Sequence, residues 1–537
     1  MHGLMQDRPL TLPHLFHRAE RHFGGKTMVT ATADGGESTA TYAEWATRVR
    51  RLATVMDTLE VPAGARVASF GWNTQRHLEL YFAVPCTGRV LHTLNIRLFP
   101  EQIGYIAAHA EDDVVFVDRS LLSVLWPLAD KLSTVRHFVV LDDGADVDIP
   151  DDPRVHDYER LLAQASPREG EFRVDDENAA AAMCYTSGTT GNPKGVVYSH
   201  RSTVLHSLVS LTTDSLGLSE RDTLMPVVPM FHVNAWGLPY AAVFAGSDLV
   251  FPGPAMKPEA LVGAIERHRV TVTAGVPTIW MGMLPLLGDH DLSSLRTVVG
   301  GGSAIPRSLS EGWREAIGLP ITQAWGMTET SPLASAATPR SHHDNLDADE
   351  LAEVRATQGQ AVPLVELRIV DMDTGAEQPW DGVSAGELQA AGPWIASAYY
   401  GDNVGTDAFT SDGWLRTGDV ATMDEHGFVR LVDRTKDLVK SGGEWISSVE
   451  LENHIMAHPR VAEAAVIAKP DPRWTERPLA CVVVAEGEQL TGDELLEHLR
   501  ERVAKWWLPD EVRFVEELPK TSTGKFSKKS LREQLLG

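Results

Sequence analysis

The chain has 537 residues, 43% hydrophobic and 23% charged, the balance of a globular enzyme with more than one core. Its net charge of −26 argues against a partner that is nucleic acid or an anionic membrane surface, and it requires any polyanion site to be a local basic island. Three scattered cysteines, Cys86, Cys184 and Cys481, form no C-x-x-C pair, which argues against a disulfide framework or a zinc site and fits a reducing cytosol. No signal-peptide core opens the chain, and no run of about eighteen apolar residues predicts a membrane span.

In chain order, TLPHLFHRAERHF predicts an amphipathic helix with Thr11 as N-cap and Pro13 in its first turn. Residues 42–59 have helical spacing, Arg66–Phe70 reads as a strand and residues 77–87 as a helix. Residues 114–117 and His137–Leu141 read as further strands, and this alternation predicts parallel βαβ units. Residues 142–153 read as an acidic surface loop. Cys184 is expected to be a buried small residue at a strand end. A helix is expected over 204–216 and another over 258–268, with strands over 224–228, 247–251, 271–274 and 297–299. Residues 341–355 read as a polar exposed excursion, and 361–430 as a small β subdomain. Beyond Asp433 the chain runs through a Gly-Gly turn into a helix capped by Ser447 or Ser448, with Glu450 in its first turn. Strands over 464–468, 481–484 and 511–515 and a helix over 493–504 complete a separate α+β unit. The fold class is therefore α/β: residues 1–434 form a large N-terminal domain of two βαβ-type sheets plus a small β subdomain, and residues 435–537 form a C-terminal α+β domain.

Five motifs carry chemistry. In YTSGTTGNPKGVVYSHR, residues 185–201, the hydroxyls of Thr186, Ser187, Thr189 and Thr190 surround Gly188 and Gly191, and Lys194 follows. Glycines let the backbone approach a polyanion, while hydroxyls, backbone N–H groups and a lysine donate to phosphate oxygens. The lysine precedes its glycine, so this is not a Walker A loop. In QAWGMTETSP, residues 323–332, Glu329 beside a polyanion site is a natural Mg²⁺ ligand. In LRTGD, Asp419 follows a glycine turn and suits a pair of ribose hydroxyls. DRTKDLVKSGGEWIS, residues 433–447, gathers Arg434, Lys436 and Lys440 in an acidic chain. LPKTSTGKFSKKSL places Lys525 in a Thr/Ser/Gly loop, with Lys520, Lys528 and Lys529 reading as surface charge.

These motifs, in this order along almost the whole chain, resemble those of the adenylate-forming superfamily: acyl-CoA synthetases, peptide-synthetase adenylation domains and luciferases. They are most similar to bacterial medium- and long-chain fatty acyl-CoA synthetases and methylmercaptopropionate-CoA ligases. The resemblance implies activation of a small-molecule carboxylic acid on ATP with Mg²⁺, then transfer to CoA. It assigns Mg²⁺ to Glu329 and Thr186, the α-phosphate to Thr328, and the adenine and acyl pocket to Gln323, Ala324 and Trp325, where many relatives have tyrosine. It assigns the ribose to Asp419, ribose or phosphate to Arg434, a hinge to Lys436, and contact with the adenylate to Lys440 and Trp445. Gly442 and Gly443 would approach the pantetheine arm, and Lys525 would bridge the attacking carboxylate and the α-phosphate from a mobile C-terminal domain. In PVVPMFHVNAW, residues 226–236, it places His232 at the acyl-pocket floor and Val233 and Trp236 along its wall, with Gly302 leaving room for adenine or acyl chain. It further implies a cytoplasmic homodimer joined through residues 1–25.

Amino-acid-activating relatives carry an aspartate in that last motif; its absence here disfavours an α-amino acid, whose ammonium is costly to bury alone. The other readings are a luciferase-like oxygenase, an enzyme activating an aryl or other acid for an amine or nitrite-type acceptor, and a silent nucleotide-binding regulator. Intact Lys194, Glu329, Asp419 and Lys525 argue against the last.

Overall fold

Short apolar runs bounded by turns become strands of two large, mostly parallel sheets in this computed structural model. It describes every residue except 187–191, 402–404, 435, 442–443, 521–525 and 537, and the side chains of residues 444 and 445. The seven-stranded sheet has Val155–Asp157 at one edge, then His137–Leu141, Asp112–Asp118, Arg66–Phe70, Val90–Thr93, Ala180–Tyr185 and Gly195–Ser199. Only its last pair is antiparallel, so the Gly/Thr-rich motif bridges a hairpin: Tyr185 lies opposite Gly195.

The nine-stranded sheet has six parallel central strands, from Ile321–Gly326 through Thr297–Gly300, Val272–Gly275, Thr223–Pro226 and Asp248–Phe251 to Thr27–Ala31. Antiparallel strands Leu333–Ala336 and Gln360–Ala361 extend one edge, and Glu37–Thr41 the other. Between the sheets lies an aromatic core in which Phe16, Trp45, Tyr81, Phe82 and Tyr240 are fully buried. A four-stranded antiparallel sheet, Glu366–Val370 to Val429–Arg434, forms the β subdomain, and a five-stranded sheet built from Val439–Ser441 to Glu511–Phe514 lies beyond it.

Local differences from the expectations have local causes. Helix Leu12–His22 starts after Thr11, but the Thr11 side chain makes no cap bond. The helix expected over 204–216 is His200–Ser210, started by the Ser199 side chain accepting from Ser202 N and ended by the turn in which Gly217 N donates to Thr212 O. The helix expected to reach 504 is Gly492–Arg500, opened by a Thr491–Glu494 capping box. Within the polar excursion a helix, Ala348–Arg355, forms on an Asp347–Glu350 capping box and is tied to Arg307 through Glu353 at 2.6 Å. The acidic loop is pinned rather than loose, because buried Asp143 accepts from Ser120 N at 3.2 Å. Ser447, of the two serines considered, caps the helix Ser448–Met456, accepting from Glu450 N at 3.0 Å. Among the described residues, no helix is long and apolar enough to cross a membrane.

Candidate functional site

At the carboxyl ends of the parallel strands, where the hairpin, the β subdomain and two C-terminal helices converge, lies a cavity of about 870 Å³. It has a charged half and an apolar half.

The charged half is assembled from distant pieces. Thr186 N donates to Lys194 O at 2.9 Å and Lys194 N donates to Thr186 Oγ1 at 3.1 Å, closing the neck of the phosphate loop. The Lys194 ammonium lies 4.7 Å over the Tyr399 ring, and the Tyr399 hydroxyl donates to Glu329 Oε1 at 2.5 Å. Burial and the Glu329 charge push the Tyr399 phenol well above its ordinary range, so it stays a donor. Glu329 and Thr328 lie on the single turn Thr328–Thr330, which Tyr198 steadies by donating to Thr328 O at 2.8 Å. The Trp325 indole donates to Asp419 Oδ2 at 2.9 Å, and Arg434 Nε lies 3.2 Å from Asp419 Oδ1. The Trp325 indole thus helps to hold Asp419 in place. The Asp419 charge raises the Arg434 guanidinium further above its ordinary value. Lys436 lines the same half, where desolvation and the Arg434 charge lower its ammonium.

Gln323, Ala324 and Gly302 line the cavity too, but the Gln323 amide is committed to backbone: Oε1 accepts from Ile305 N at 2.5 Å and Nε2 donates to Thr357 O at 2.9 Å. Gly302 sits at φ 84°, which only glycine adopts readily. Lys440 is elsewhere, exposed on the strand Val439–Ser441 outside the cavity lining. Ser187, Gly188, Thr189, Thr190, Gly442, Gly443 and Lys525 lie outside the described residues, as does the Trp445 side chain.

Lys528 differs from its reading as surface charge. Its ammonium lies 2.7 Å from Glu452 Oε1 and donates to Ser448 Oγ, while Ser448 N and Oγ both donate to Asp433 Oδ2 at 2.5 Å. Burial opposes its charge, but Glu452 and Asp433 outweigh burial and raise its pKa. One turn along the same helix, Arg532 pairs with Asp437 at 2.9 Å. Tyr399, Ser448 and Glu452 lie outside the five motifs, and only the fold brings them to their partners.

The apolar half is walled by Val228, Val233, Trp236, Leu238, Val276 and Met281, with His232 at its edge. Among its described lining residues none is a carboxylate; the cavity's acidic groups all belong to the charged half. Cys184 is buried behind this wall, and burial pushes its thiol up to about 11, which removes it as a nucleophile.

No group of three or more His, Cys, Asp or Glu among the described residues is arranged to hold a metal. Mg²⁺ does not need one: it binds through one or two protein oxygens and completes its shell with substrate phosphate and water. Glu329, with the Thr186 hydroxyl in the same cavity, fits that donor set.

Residues 15–400 match the family model of the AMP-binding enzyme, and residues 450–525 that of the AMP-binding enzyme C-terminal domain. The chain is 49% identical over 534 residues to a long-chain-fatty-acid–CoA ligase of Thermus thermophilus, covering 99% of this chain and 96% of the relative. It is 44% identical over 536 residues to a 3-methylmercaptopropionyl-CoA ligase of Ruegeria lacuscaerulensis, covering 99% of both. The crystal structure of an anthranilate CoA ligase in complex with anthranoyl-AMP superposes with a TM-score of 0.87 at 25% identity, covering 99% of each chain.

Proposed function

Because the chain belongs to the AMP-binding enzyme family, we propose that it is an acyl-CoA ligase for a fatty or similarly apolar carboxylic acid. It activates the acid on ATP as acyl-AMP, then passes the acyl group to CoA. The observation that carries the choice of acid is the cavity itself, in which an uncharged apolar half opens directly onto a basic half. An apolar tail gains by entering the first, and polyphosphate by entering the second.

In the first step a carboxylate oxygen attacks the α-phosphorus, an O–P bond forms, and pyrophosphate leaves with the electrons of the broken P–O bond. Lys194 and the loop hydroxyls of Thr186, Ser187, Thr189 and Thr190 hold the phosphates, and Thr328 meets the α-phosphate. Glu329 and Thr186 would hold Mg²⁺, which would supply charge neutralisation of the polyphosphate. Trp325 and Ala324 flank the adenine, Asp419 accepts from the ribose, and Arg434 stands beside it. Lys525 stabilises the charge shared by the carboxylate and the α-phosphate. In the second step the CoA thiol gives up its proton to solvent and its sulfur attacks the acyl carbon; a C–S bond forms, the acyl C–O bond breaks, and AMP leaves with that bond's electrons.

Residues 1–434 and 435–537 act as two domains. Rotation about Lys436 withdraws Lys525 and brings Lys440, Gly442, Gly443 and Trp445 toward the adenylate and pantetheine. His232, Val233 and Trp236 meet the acid. The enzyme works as a cytoplasmic homodimer. The reading with an aryl acid and a non-CoA acceptor is disfavoured by relatives at 44–49% identity that are CoA ligases.

The test is pyrophosphate release from ATP across fatty, short thio-substituted and aromatic acids, each with and without CoA. Release with an apolar acid, sustained only when CoA is present, is the expected result. Release indifferent to CoA for every acid would transfer the case to a different acceptor.

A further inference from the structure

Four consecutive residues with side chains, Val233, Asn234, Ala235 and Trp236, lie at φ 46, 49, 48 and 58°, a full left-handed turn. Asparagine visits this region singly; a β-branched valine and a tryptophan do so rarely, and a run of four is unfavourable at each step. Such a conformation persists only where its surroundings over-determine it.

The surroundings are on the page. Asn234 is buried, and its Oδ1 accepts from Cys184 Sγ at 3.2 Å and from Thr93 Oγ1 at 3.3 Å; Cys184 Sγ and Thr93 Oγ1 are themselves 3.3 Å apart. Thr93 and Cys184 belong to adjacent parallel strands, Val90–Thr93 and Ala180–Tyr185, of the seven-stranded sheet. Much of the remaining acyl wall, Val276 and Val299 included, comes from the nine-stranded sheet and the turns that leave it. Asn73, also from the seven-stranded side, fixes the approach to the turn: its amide donates to Pro226 O and Val228 O at 2.8 Å, and its carbonyl accepts from Met230 N at 2.6 Å. At the exit, Gly237 at φ 70° lies so close over His206 that a β-carbon there would fall 2.7 Å from the ring. The turn ends by laying the Trp236 ring against Gly301, where a β-carbon would fall 3.1 Å from it.

We propose that Asn234, Cys184 and Thr93 are positioning residues for acid selection: together they hold the left-handed turn that aims Trp236 across the apolar half of the cavity. The proposal rests on the reading of that half as the acid site. It assigns the buried cysteine a task, and it ties the acid wall to the strand that feeds the phosphate loop two residues later, at Thr186.

The test compares Cys184→Ala, Cys184→Ser, Thr93→Val and Asn234→Gly with the wild type, measuring kcat and KM for a series of acids of increasing length, KM for ATP, and melting temperature. Cys184→Ala and Thr93→Val should raise KM for the best acid about three- to tenfold, the worth of one hydrogen bond, with KM for ATP changed less than twofold. Cys184→Ser should restore the acid KM, because a hydroxyl donates where the thiol did. Asn234→Gly is the discriminating variant, since glycine accepts the left-handed backbone without strain yet removes the anchor. It should flatten the preference among chain lengths, with a fall in melting temperature no larger than that of Thr93→Val. Unchanged chain-length ratios in Asn234→Gly, or an equal rise in both KM values with no rescue by serine, would overturn the proposal. If the wild type releases pyrophosphate with no acid in the series, the functional reading falls first and this inference falls with it, a failure seen before any variant is compared.

Discussion

The two halves of the cavity are built on different principles. In the charged half, polar side chains from distant elements meet in pairs: Lys194 with Tyr399, Tyr399 with Glu329, Trp325 with Asp419, and Asp419 with Arg434. In the apolar half the backbone does the shaping, through a left-handed turn and glycines at 237 and 301, and the polar groups that hold it stand behind the wall. The first half recognises by charge and donor geometry, the second by shape. Substitutions in the two should therefore separate in their effects on nucleotide and acid.

Acidification should have the largest effect, because two buried neutral histidines stand behind the apolar half. His206 sits under Gly237, and His77 packs edge-on against Tyr81, whose hydroxyl donates to Met230 O at 2.6 Å. Burial lowers both imidazoles from 6.5 to about 4. The unfolded chain then binds more protons between those values, so the stability each histidine contributes is full above about pH 6.5 and lost as pH falls toward 4, about 3 kcal/mol apiece. Urea midpoints at pH 7 and 4.5 should show this loss, and His206→Gln should flatten it.

Next in size is Lys525→Ala, expected to cut pyrophosphate release about 10²- to 10³-fold while leaving thioester formation from supplied acyl-AMP intact. Equal loss of both steps would remove Lys525 from its half-reaction. Gly237→Ala strikes only the shape-built half, through the His206 contact and a positive φ. A fall on the order of tenfold in kcat/KM for the acid is expected, with KM for ATP nearly constant. Trp325→Phe is the smallest and the sharpest. It keeps a ring and removes the bond to Asp419, so KM for ATP should rise about three- to tenfold with the acid KM unmoved.

The charged half was legible in the sequence because its chemistry demands particular residue types, in order: Lys194, Glu329, Asp419 and Arg434 were all found by motif and all line the cavity. The shape-built half was legible only as a list of residues. FHVNAWG holds one glycine, and no local preference predicts positive φ at valine or tryptophan; that geometry is imposed by Thr93 and Cys184 from another sheet. Lys528 was misread for a similar reason: its partner Glu452 is far away in sequence, and a charged helix start looks the same whether it faces water or a carboxylate. Sheet order hid too, since Thr27–Ala31 joins Asp248–Phe251 across most of the first half of the chain.

The basic groups that line the cavity, Lys194, Arg434, Lys528 and Arg532 among them, lie inside a molecule of net charge −26. Every substrate and every product of the reaction is an anion. ATP and CoA must cross a repulsive field before the cavity captures them, and pyrophosphate and acyl-CoA are pushed outward by that same field once past the rim. The molecule gives up encounter rate in exchange for relief from product rebinding. Added salt, by screening the field, should speed capture of ATP.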